Sequence, residues 1–141
     1  MKKLTIAAAA LLMLTACGSS SKTGKAEKEI DNHGSAETIT VEVTTDGEKV
    51  TAININETYN GKKDTKKDLK EAYDMKKASP IGKEWYEQID FLEKYIVENG
   101  LDAVELGEDG KPVAGSDLAA GCTINLADIM ETANKAADEA K

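Results

Sequence analysis

Two runs of β-branched residues on either side of an Asp-Gly pair set the folding choices open to this chain. Apolar and polar residues alternate over 39–43, and residues 50–55 are again rich in β-branched side chains. Asp46-Gly47 lies between the two runs, and this dipeptide is a strong local signal for a tight hairpin turn. We therefore predict an antiparallel β-hairpin.

The second run does not alternate cleanly. Val50 and Ala52 would point to one face of the sheet, whereas Ile53 and Ile55 would point to the other. One extra residue in a β-bulge would explain this pattern. A strand that is buried on both faces would explain it as well.

Two helices are predicted after the hairpin. Asp64 or Thr65 is suited to cap a short, lysine-rich helix that ends near Met75. Ser79-Pro80 predicts the start of a longer helix, because Ser is a favoured N-cap and Pro is favoured at the first helical position. Asn99-Gly100 predicts its end. Apolar residues recur along this second helix at helical spacing, at Trp85, Ile89, Leu92 and Ile96.

A third helix is predicted near the C-terminus. It begins near Asn125, whose side chain is suited to cap it, and a further strand is expected over residues 101–106. The helix would bury a stripe made of Ile129, Met130, Ala133 and Ala136. These elements predict an α+β fold, a compact single domain in which an antiparallel β-hairpin or sheet packs with two or three helices after a disordered N-terminal tether.

Residues 1–16 have the features of a lipoprotein signal peptide. Two lysines precede an apolar run over 4–14, and Leu14-Thr15-Ala16 leads into Cys17. The run is shorter than the roughly 20 residues that a membrane-spanning helix needs. We therefore predict that Cys17 is lipidated, with acyl chains such as palmitate, and anchors the protein to the outer face of the cell membrane. An uncleaved N-terminal anchor is the alternative. Residues 17–38 are predicted to be the lipidated cysteine and a flexible linker, and residues 39–141 the folded domain.

Composition argues against several classes of site. The net charge is −8 and the chain has no arginine, which argues against a nucleic-acid partner. The only histidine, His33, falls in the predicted linker, so a metal centre or a histidine-based nucleophile is not expected. There is no Gly-rich dinucleotide fingerprint and no acid–base pair, so we expect no substrate-specific enzyme. We expect a monomer.

The run Asp117-Leu118-Ala119-Ala120-Gly121-Cys122-Thr123 resembles the D-x-x-[S/A/G]-G-[A/C]-[S/T] signature on which FMN is attached through a phosphoester. Together with the hairpin and the segment 73–85, it makes the chain resemble the FMN-binding domain family over about residues 39–135. That family includes flavin subunits of sodium-pumping and Rnf-type redox complexes, and flavinylated lipoproteins of extracellular electron transfer in Gram-positive bacteria.

The resemblance implies that Thr123 carries covalent FMN. The phosphate would then lie just before the last helix, where free backbone N–H groups favour an anion. Gly121 would let the backbone turn tightly and approach the ligand, and Ala120 would leave room for the phosphoribityl chain. A flavin transferase with its magnesium would form the bond.

The remaining site residues have expected roles and alternatives. Asp117 would cap backbone amides of the loop or present the threonine to the transferase. The family also implies a partly exposed flavin ring with apolar contacts near Met75 and Pro80. Trp85 is expected in the core rather than as a flavin platform. Cys122 is expected to be a small packing residue, with a redox thiol as the alternative.

These expectations describe a membrane-anchored flavoprotein that transfers electrons from a membrane donor, a quinone or NADH dehydrogenase system, to an extracellular acceptor. Small residues before a helix also form ordinary Asx-type loops, so a non-flavinylated binding or structural surface lipoprotein is an alternative. Another is a lipoprotein whose signal peptide, within residues 4–16, yields a signalling peptide. A run of lysines is expected on a solvated helix face, or as a dock for an acidic partner; it comprises Lys62, Lys63, Lys66, Lys67 and Lys70.

Overall fold

A computed structural model describes residues 20–141, and they form an antiparallel sheet with helices on one face. The strands lie side by side in chain order: β1 (Ser21–Asn32), β2 (Ser35–Asp46), β3 (Lys49–Tyr59) and β4 (Asp64–Thr65). The helices are α1 (Lys66–Leu69), α2 (Trp85–Asn99) and α3 (Ala127–Glu139), with 3₁₀ turns at Lys70–Tyr73 and Leu101–Ala103. The predicted α+β class is confirmed. None of the helices in this part of the chain is both long and apolar enough to cross a membrane.

The predicted signal peptide and Cys17 lie outside the described residues, but most of the predicted linker does not. The linker prediction is wrong from Ser21 onward, because β1 pairs with β2 along its whole length, from Ser21 opposite Asp46 to Asn32 opposite Ser35. The sequence does not predict this strand, because its side chains are mostly polar and lack an alternating apolar pattern. Backbone pairing and partial burial of Ala26 and Ile30 hold it in place.

The histidine of the chain lies in the turn between β1 and β2. His33 and Gly34 form a two-residue loop, with φ values of 55° and 86°. Positive φ at both loop positions is the requirement of a type I′ hairpin turn, whose twist matches that of the strands.

The predicted hairpin is confirmed as β2 and β3, and it contains a bulge. Thr44 pairs with Ala52 whereas Thr45 pairs with Val50, so Thr51 is the extra residue on β3. The bulge changes the alternation of side chains along the strand and brings Val50 to the same buried face as Ile53 and Ile55. These side chains are 7%, 8% and 0% exposed, respectively. Of the two explanations for the irregular pattern, the bulge is confirmed.

Helix α2 begins later than predicted. Glu84 and Glu87 form a reciprocal capping box at its start, in which the Glu87 carboxylate accepts from the Glu84 N–H at 2.9 Å. Ser79-Pro80 lies in the preceding turns instead, where Gly82 has a φ of 63° that is incompatible with a continuous helix. The end of α2 at Asn99 agrees with the prediction.

The short helix α1 is capped by Thr65, one of the two predicted caps, whose Oγ1 accepts from the Asp68 N–H at 3.3 Å. The expectation of a solvated lysine face is wrong for Lys66. That residue is buried, and its Nζ lies 2.6 Å from a Glu57 oxygen and 5.0 Å from the centroid of the Tyr73 ring.

The C-terminal half departs from prediction in one place. Residues 101–106 do not form a strand. They begin with the 3₁₀ turn Leu101–Ala103 and end at Leu106, which makes a single β-bridge with Pro112. Helix α3 begins at Ala127, whose N–H donates to Asn125 Oδ1 at 2.9 Å, close to the predicted start. The predicted stripe is buried, at Ile129, Met130, Ala133 and Ala136.

Both long helices cover the same face of the sheet. Helix α3 packs against β1 and β2, and α2 packs against β3. Gly24 of β1 allows α3 to approach closely, because a Cβ at this position would lie 2.0 Å from the Ala136 carbonyl oxygen. A second contact shows how β1 and α3 are oriented. Lys28 lies further along β1, and its Nζ is 2.7 Å from Asp128 Oδ1 in the first turn of α3. Strand β1 therefore runs antiparallel to α3.

Glu37 fixes the loop after β3 through a buried carboxylate. It accepts hydrogen bonds from Ser35 Oγ at 3.1 Å, Thr58 Oγ1 at 2.7 Å, Gly61 N at 2.8 Å and Lys62 N at 3.2 Å. Burial alone would raise the pKa of the Glu37 carboxyl, but these hydrogen bonds outweigh it and lower the pKa below its usual value.

Substitution Gly24→Ala should weaken the contact between β1 and α3. The added methyl group would overlap backbone atoms of α3, which cannot move as a flexible side chain can. We expect the free energy of unfolding in urea to fall by about 1–3 kcal/mol, the usual cost of overpacking. Gly107→Ala is the matched control, since its nearest contact is the Asp109 side chain at 3.2 Å. Equal stability of the two variants would contradict the contact.

Substitution Glu37→Gln should destabilise the protein in a pH-dependent way. The folded-state pKa of Glu37 is lowered, so the ionised carboxylate stabilises the fold above the unfolded-state pKa, and this stabilisation is lost as pH falls through the folded-state value. The difference in Tm between wild type and Glu37→Gln should therefore be largest near neutral pH and shrink in acid. Thermal melts from pH 3 to 7, a range chosen around the ordinary pKa of about 4.3, measure it. A difference that is constant over this range would contradict the role.

Candidate functional site

The loop that carries Thr123 is a compact turn placed before α3. The N–H groups of Gly121 and Cys122 both donate to the Leu118 carbonyl, at 3.1 and 2.9 Å. Ser116 Oγ accepts from the Ala119 N–H at 3.2 Å. Leu118 and Cys122 are buried, so the loop is pinned to the core while Thr123 stays partly exposed.

Gly121 is required by the packing of the loop on α2. A Cβ added here would lie 2.4 Å from ring atoms of Phe91, so no larger residue fits without displacing the ring. The predicted role of Gly121 was close approach to a ligand, whereas in the structure the close approach is to Phe91. The ring itself is 39% exposed, and it provides an apolar surface beside the loop.

Gln88 connects Thr123 to α2 and to the loop before α2. Its Oε1 accepts from Thr123 N at 2.8 Å and from Thr123 Oγ1 at 3.4 Å. Its Nε2 donates to Ser79 Oγ at 3.2 Å and to the Lys83 carbonyl oxygen at 3.2 Å. The side chain is fully buried, at 0% exposure.

Gln88 was not among the predicted site residues, although its position in the sequence carries a signal. It is the only glutamine in the chain, and it lies next to Ile89 and four residues before Leu92, within the apolar stripe of α2. A polar amide on a buried stripe needs hydrogen-bond partners, so its position predicts a polar contact with another element.

The other predicted site residues lie in the loop that carries Thr123 or in the segment before α2. Asp117 and Ala120 are exposed. The predicted capping of loop amides is carried out by Ser116 rather than by Asp117. Met75 is half-buried, and its N–H donates to the α2 cap residue Glu84 at 2.9 Å, while Pro80 is exposed. The structure thus brings the 75–84 loop and Thr123 together through α2.

Cys122 packs in the core, which agrees with its expected role as a small packing residue. The thiol is fully buried, and burial raises the pKa of Cys122 to about 11, only partly offset by a hydrogen bond from the Ile124 backbone. A thiol with such a pKa is protonated at neutral pH and is a poor nucleophile.

Two surface recesses lie away from this loop. One, of about 310 Å³, is on the outer face of the sheet around Thr40 and Asn56, and the other, of about 440 Å³, lies between Thr51 and Glu98. Neither is lined by Thr123. Within residues 20–141, no group of three or more His, Cys, Asp or Glu side chains is arranged to hold a metal ion.

The geometry fits a group that is attached covalently. Thr123 is partly exposed, its neighbours Ala120 and Gly121 are small, and the Phe91 ring, which is 39% exposed, lies beside Gly121. No enclosing pocket is needed when a covalent bond holds the ligand. These residues leave room for the FMN attachment that the sequence predicts.

The prediction that free backbone N–H groups before the last helix favour the phosphate is wrong at three positions. The N–H groups of Thr123, Leu126 and Ala127 donate to Gln88 Oε1 at 2.8 Å, to the Gly110 carbonyl oxygen at 2.8 Å and to Asn125 Oδ1 at 2.9 Å, respectively.

Comparison with known proteins supports the fold. No protein-family model matches the sequence, and no curated protein matches it. The chain is similar to a solution NMR structure of a protein from Clostridium thermocellum, a structural genomics target, with a TM-score of 0.52 and 21% sequence identity. The match covers 89% of this chain and 93% of that one. At this identity, the likeness concerns the α+β architecture alone.

Cys122 should resist alkylation in the folded protein. With a pKa of about 11 and a buried thiol, roughly one molecule in a thousand would carry the thiolate at pH 8, and that thiolate would be shielded. We expect iodoacetamide to label Cys122 at least about a hundredfold more slowly in buffer than in urea. Mass spectrometry of the peptide that contains Cys122 separates its labelling from that of Cys17. Rapid, complete labelling without urea would contradict a packing role.

Proposed function

We propose that the protein carries one FMN, bound through a phosphoester to Thr123, and acts as a lipid-anchored electron carrier on the outer face of the cell membrane. The observation that carries the proposal is the placement of Thr123. Thr123 is partly exposed at the end of a loop that is held by the buried side chains of Leu118 and Cys122 and by the close approach of Gly121 to Phe91. The loop therefore combines a reachable nucleophile with a fixed position.

The attachment reaction is a phosphoryl-type transfer without net oxidation. Thr123 Oγ1 forms a bond to the phosphorus of the FMN half of a flavin dinucleotide, and the pyrophosphate bond of that donor breaks. The nucleoside monophosphate is the leaving group. The hydroxyl proton passes to a base of the flavin transferase, because a threonine hydroxyl is a weak nucleophile that needs activation.

Once bound, FMN supplies the redox chemistry, and the protein supplies attachment and access. Phe91, in the middle of α2, offers an exposed apolar face next to Gly121, and the Met75 to Pro80 segment lies before the start of α2. Both surfaces can pack against an aromatic ring without enclosing it. An open site of this kind suits a carrier that exchanges electrons with protein partners, a membrane donor of the quinone or NADH dehydrogenase type and an extracellular acceptor.

Lipidation at Cys17 belongs to the same proposal. The first strand begins at Ser21, so three residues lie between Cys17 and the sheet and four residue steps would separate the lipid from it. Since an extended chain spans at most about 3.6 Å per residue, this tether would reach no more than about 15 Å. The folded domain would therefore stay close to the membrane surface, instead of moving on a long flexible linker.

Flavin transfer to Thr123 can be tested by mass. The protein is co-expressed with an active flavin transferase, and wild type should gain the mass of one FMN less one water and fluoresce in a denaturing gel. Thr123→Ala should lose both signals, whereas Thr123→Ser should retain them because the hydroxyl remains. Thr38→Ala, on the partly exposed outer face of the sheet, is the matched control and should be modified like wild type.

An unmodified wild type, in cells where the transferase modifies a known substrate, would overturn flavin attachment. The remaining functions would then be a binding or structural surface lipoprotein, or a source of a signalling peptide.

A further inference from the structure

We propose that Gln88 is a positioning residue that presents the Thr123 hydroxyl for flavin attachment. The inference rests on the proposed function, and it assigns a role to a residue outside the attachment motif. It begins from the burial of an uncharged amide on the inner face of α2, where Trp85, Ile89 and Leu92 are its buried neighbours along the helix.

A buried amide without partners would be costly, so the position of Gln88 depends on the bonds that it makes. All four bonds go to segments outside α2. The carbonyl oxygen of the amide holds Thr123, and the NH₂ group holds Ser79 and the Lys83 carbonyl. Gln88 is thus the polar link between the 79–83 turn and the loop that carries the attachment site.

The two bonds from Thr123 to Gln88 differ in length, and this difference favours attachment: the residue is held in place while its hydroxyl stays available to react. The backbone bond, at 2.8 Å, fixes the position of the residue, while the hydroxyl bond, at 3.4 Å, is long and weak. Donation of the hydroxyl hydrogen to Gln88 Oε1 would leave the oxygen lone pairs free for the phosphorus. An amide oxygen is not a base, so the proton leaves the weak bond for a base of the transferase.

Orientation has a large effect on such a reaction, because a displacement of about 1 Å can cost about a hundredfold in rate. Loss of Gln88 removes the bond that fixes the Thr123 backbone and leaves that N–H without its partner. The loop would still be held by the Leu118 carbonyl through Gly121 and Cys122. A variant of Gln88 should therefore fold but hold its hydroxyl less well.

The test compares wild type, Gln88→Met and Ser79→Ala as purified full-length proteins. Methionine has a similar length without hydrogen-bonding groups, and alanine at 79 removes one support of the amide while sparing both bonds to Thr123. Two quantities are measured: amide hydrogen exchange at Thr123 before modification, and the initial rate of flavin attachment with purified transferase, flavin dinucleotide and Mg²⁺.

We expect Gln88→Met to exchange the Thr123 amide at least about tenfold faster and to accept flavin at least about tenfold more slowly, with Tm and circular dichroism showing a folded protein. Ser79→Ala should change both quantities by about twofold to threefold. A general loss of stability would accelerate exchange throughout the core, so faster exchange confined to Thr123 and its neighbours separates positioning from unfolding.

The outcomes distinguish this inference from the proposed function. Wild type that accepts no flavin overturns both. Wild type and Gln88→Met that accept flavin at the same rate overturn the positioning role alone, whatever the exchange data. Should Gln88→Met not fold, Gln88→Leu replaces it: this variant also lacks hydrogen-bonding groups and suits the apolar stripe of α2, and an attachment rate equal to that of wild type would overturn the inference.

Discussion

The alternating burial of β2 is the constraint on which the other elements depend. Its odd-numbered side chains from 37 to 45 are all buried and the even-numbered ones face outward. A shift of one residue in its pairing would turn the whole apolar set toward solvent, so the register of the strand is strongly determined. Both β1 and β3 take their places from β2, and the bulge at Thr51 keeps β3 in phase with it. The long helices then cover the one face that is left apolar.

Buried polar groups, in addition to apolar contacts, hold the loops on this core. Glu37 holds the loop after β3, Glu57 pairs with Lys66 at the start of α1, Glu84 holds the Met75 turn, and Gln88 holds Thr123. Every buried side-chain nitrogen and oxygen in residues 20–141 has a hydrogen-bond partner. Because an unpaired buried polar group costs free energy, each of these residues favours one conformation of its loop. Order at the candidate site thus arises from directional bonds to a rigid sheet and helix.

Sequence patterns predicted the parts of the fold in which a few neighbouring residues determine the local backbone conformation or the buried face. The Asp46-Gly47 turn, the Thr65 cap and the apolar stripe of α3 are of this kind. Strand β1 could not be found in this way, since its stability comes from pairing with β2 and from the contact of Gly24 with a helix more than a hundred residues away.

The start of α2 was misplaced for a related reason. Ser79-Pro80 carries a genuine helix-start signal, but the Ser79 hydroxyl accepts from the N–H groups of Ile81 and Lys83 in a turn, and Gly82 ends that turn. At the site, the motif around Thr123 was visible in the sequence, whereas its support by Gln88 was not. Which partner satisfies a buried amide is decided by tertiary packing, so sequence alone could indicate only that Gln88 needed one.

The direction of β1 relative to α3 has a consequence for the proposed electron transfer, if Cys17 is the anchor and Thr123 carries the flavin. The start of β1 lies beside the end of α3, where Gly24 meets Ala136 and Ala140, whereas Thr123 precedes the start of α3. Thirteen residues of helix, at 1.5 Å each, separate these ends by about 20 Å. A lipid attached four residues before β1 would hold the first end near the bilayer, and the flavin would then face away from it. Such a carrier would collect electrons from a donor domain that projects from the membrane, because the short tether leaves little room to turn the site toward the bilayer itself.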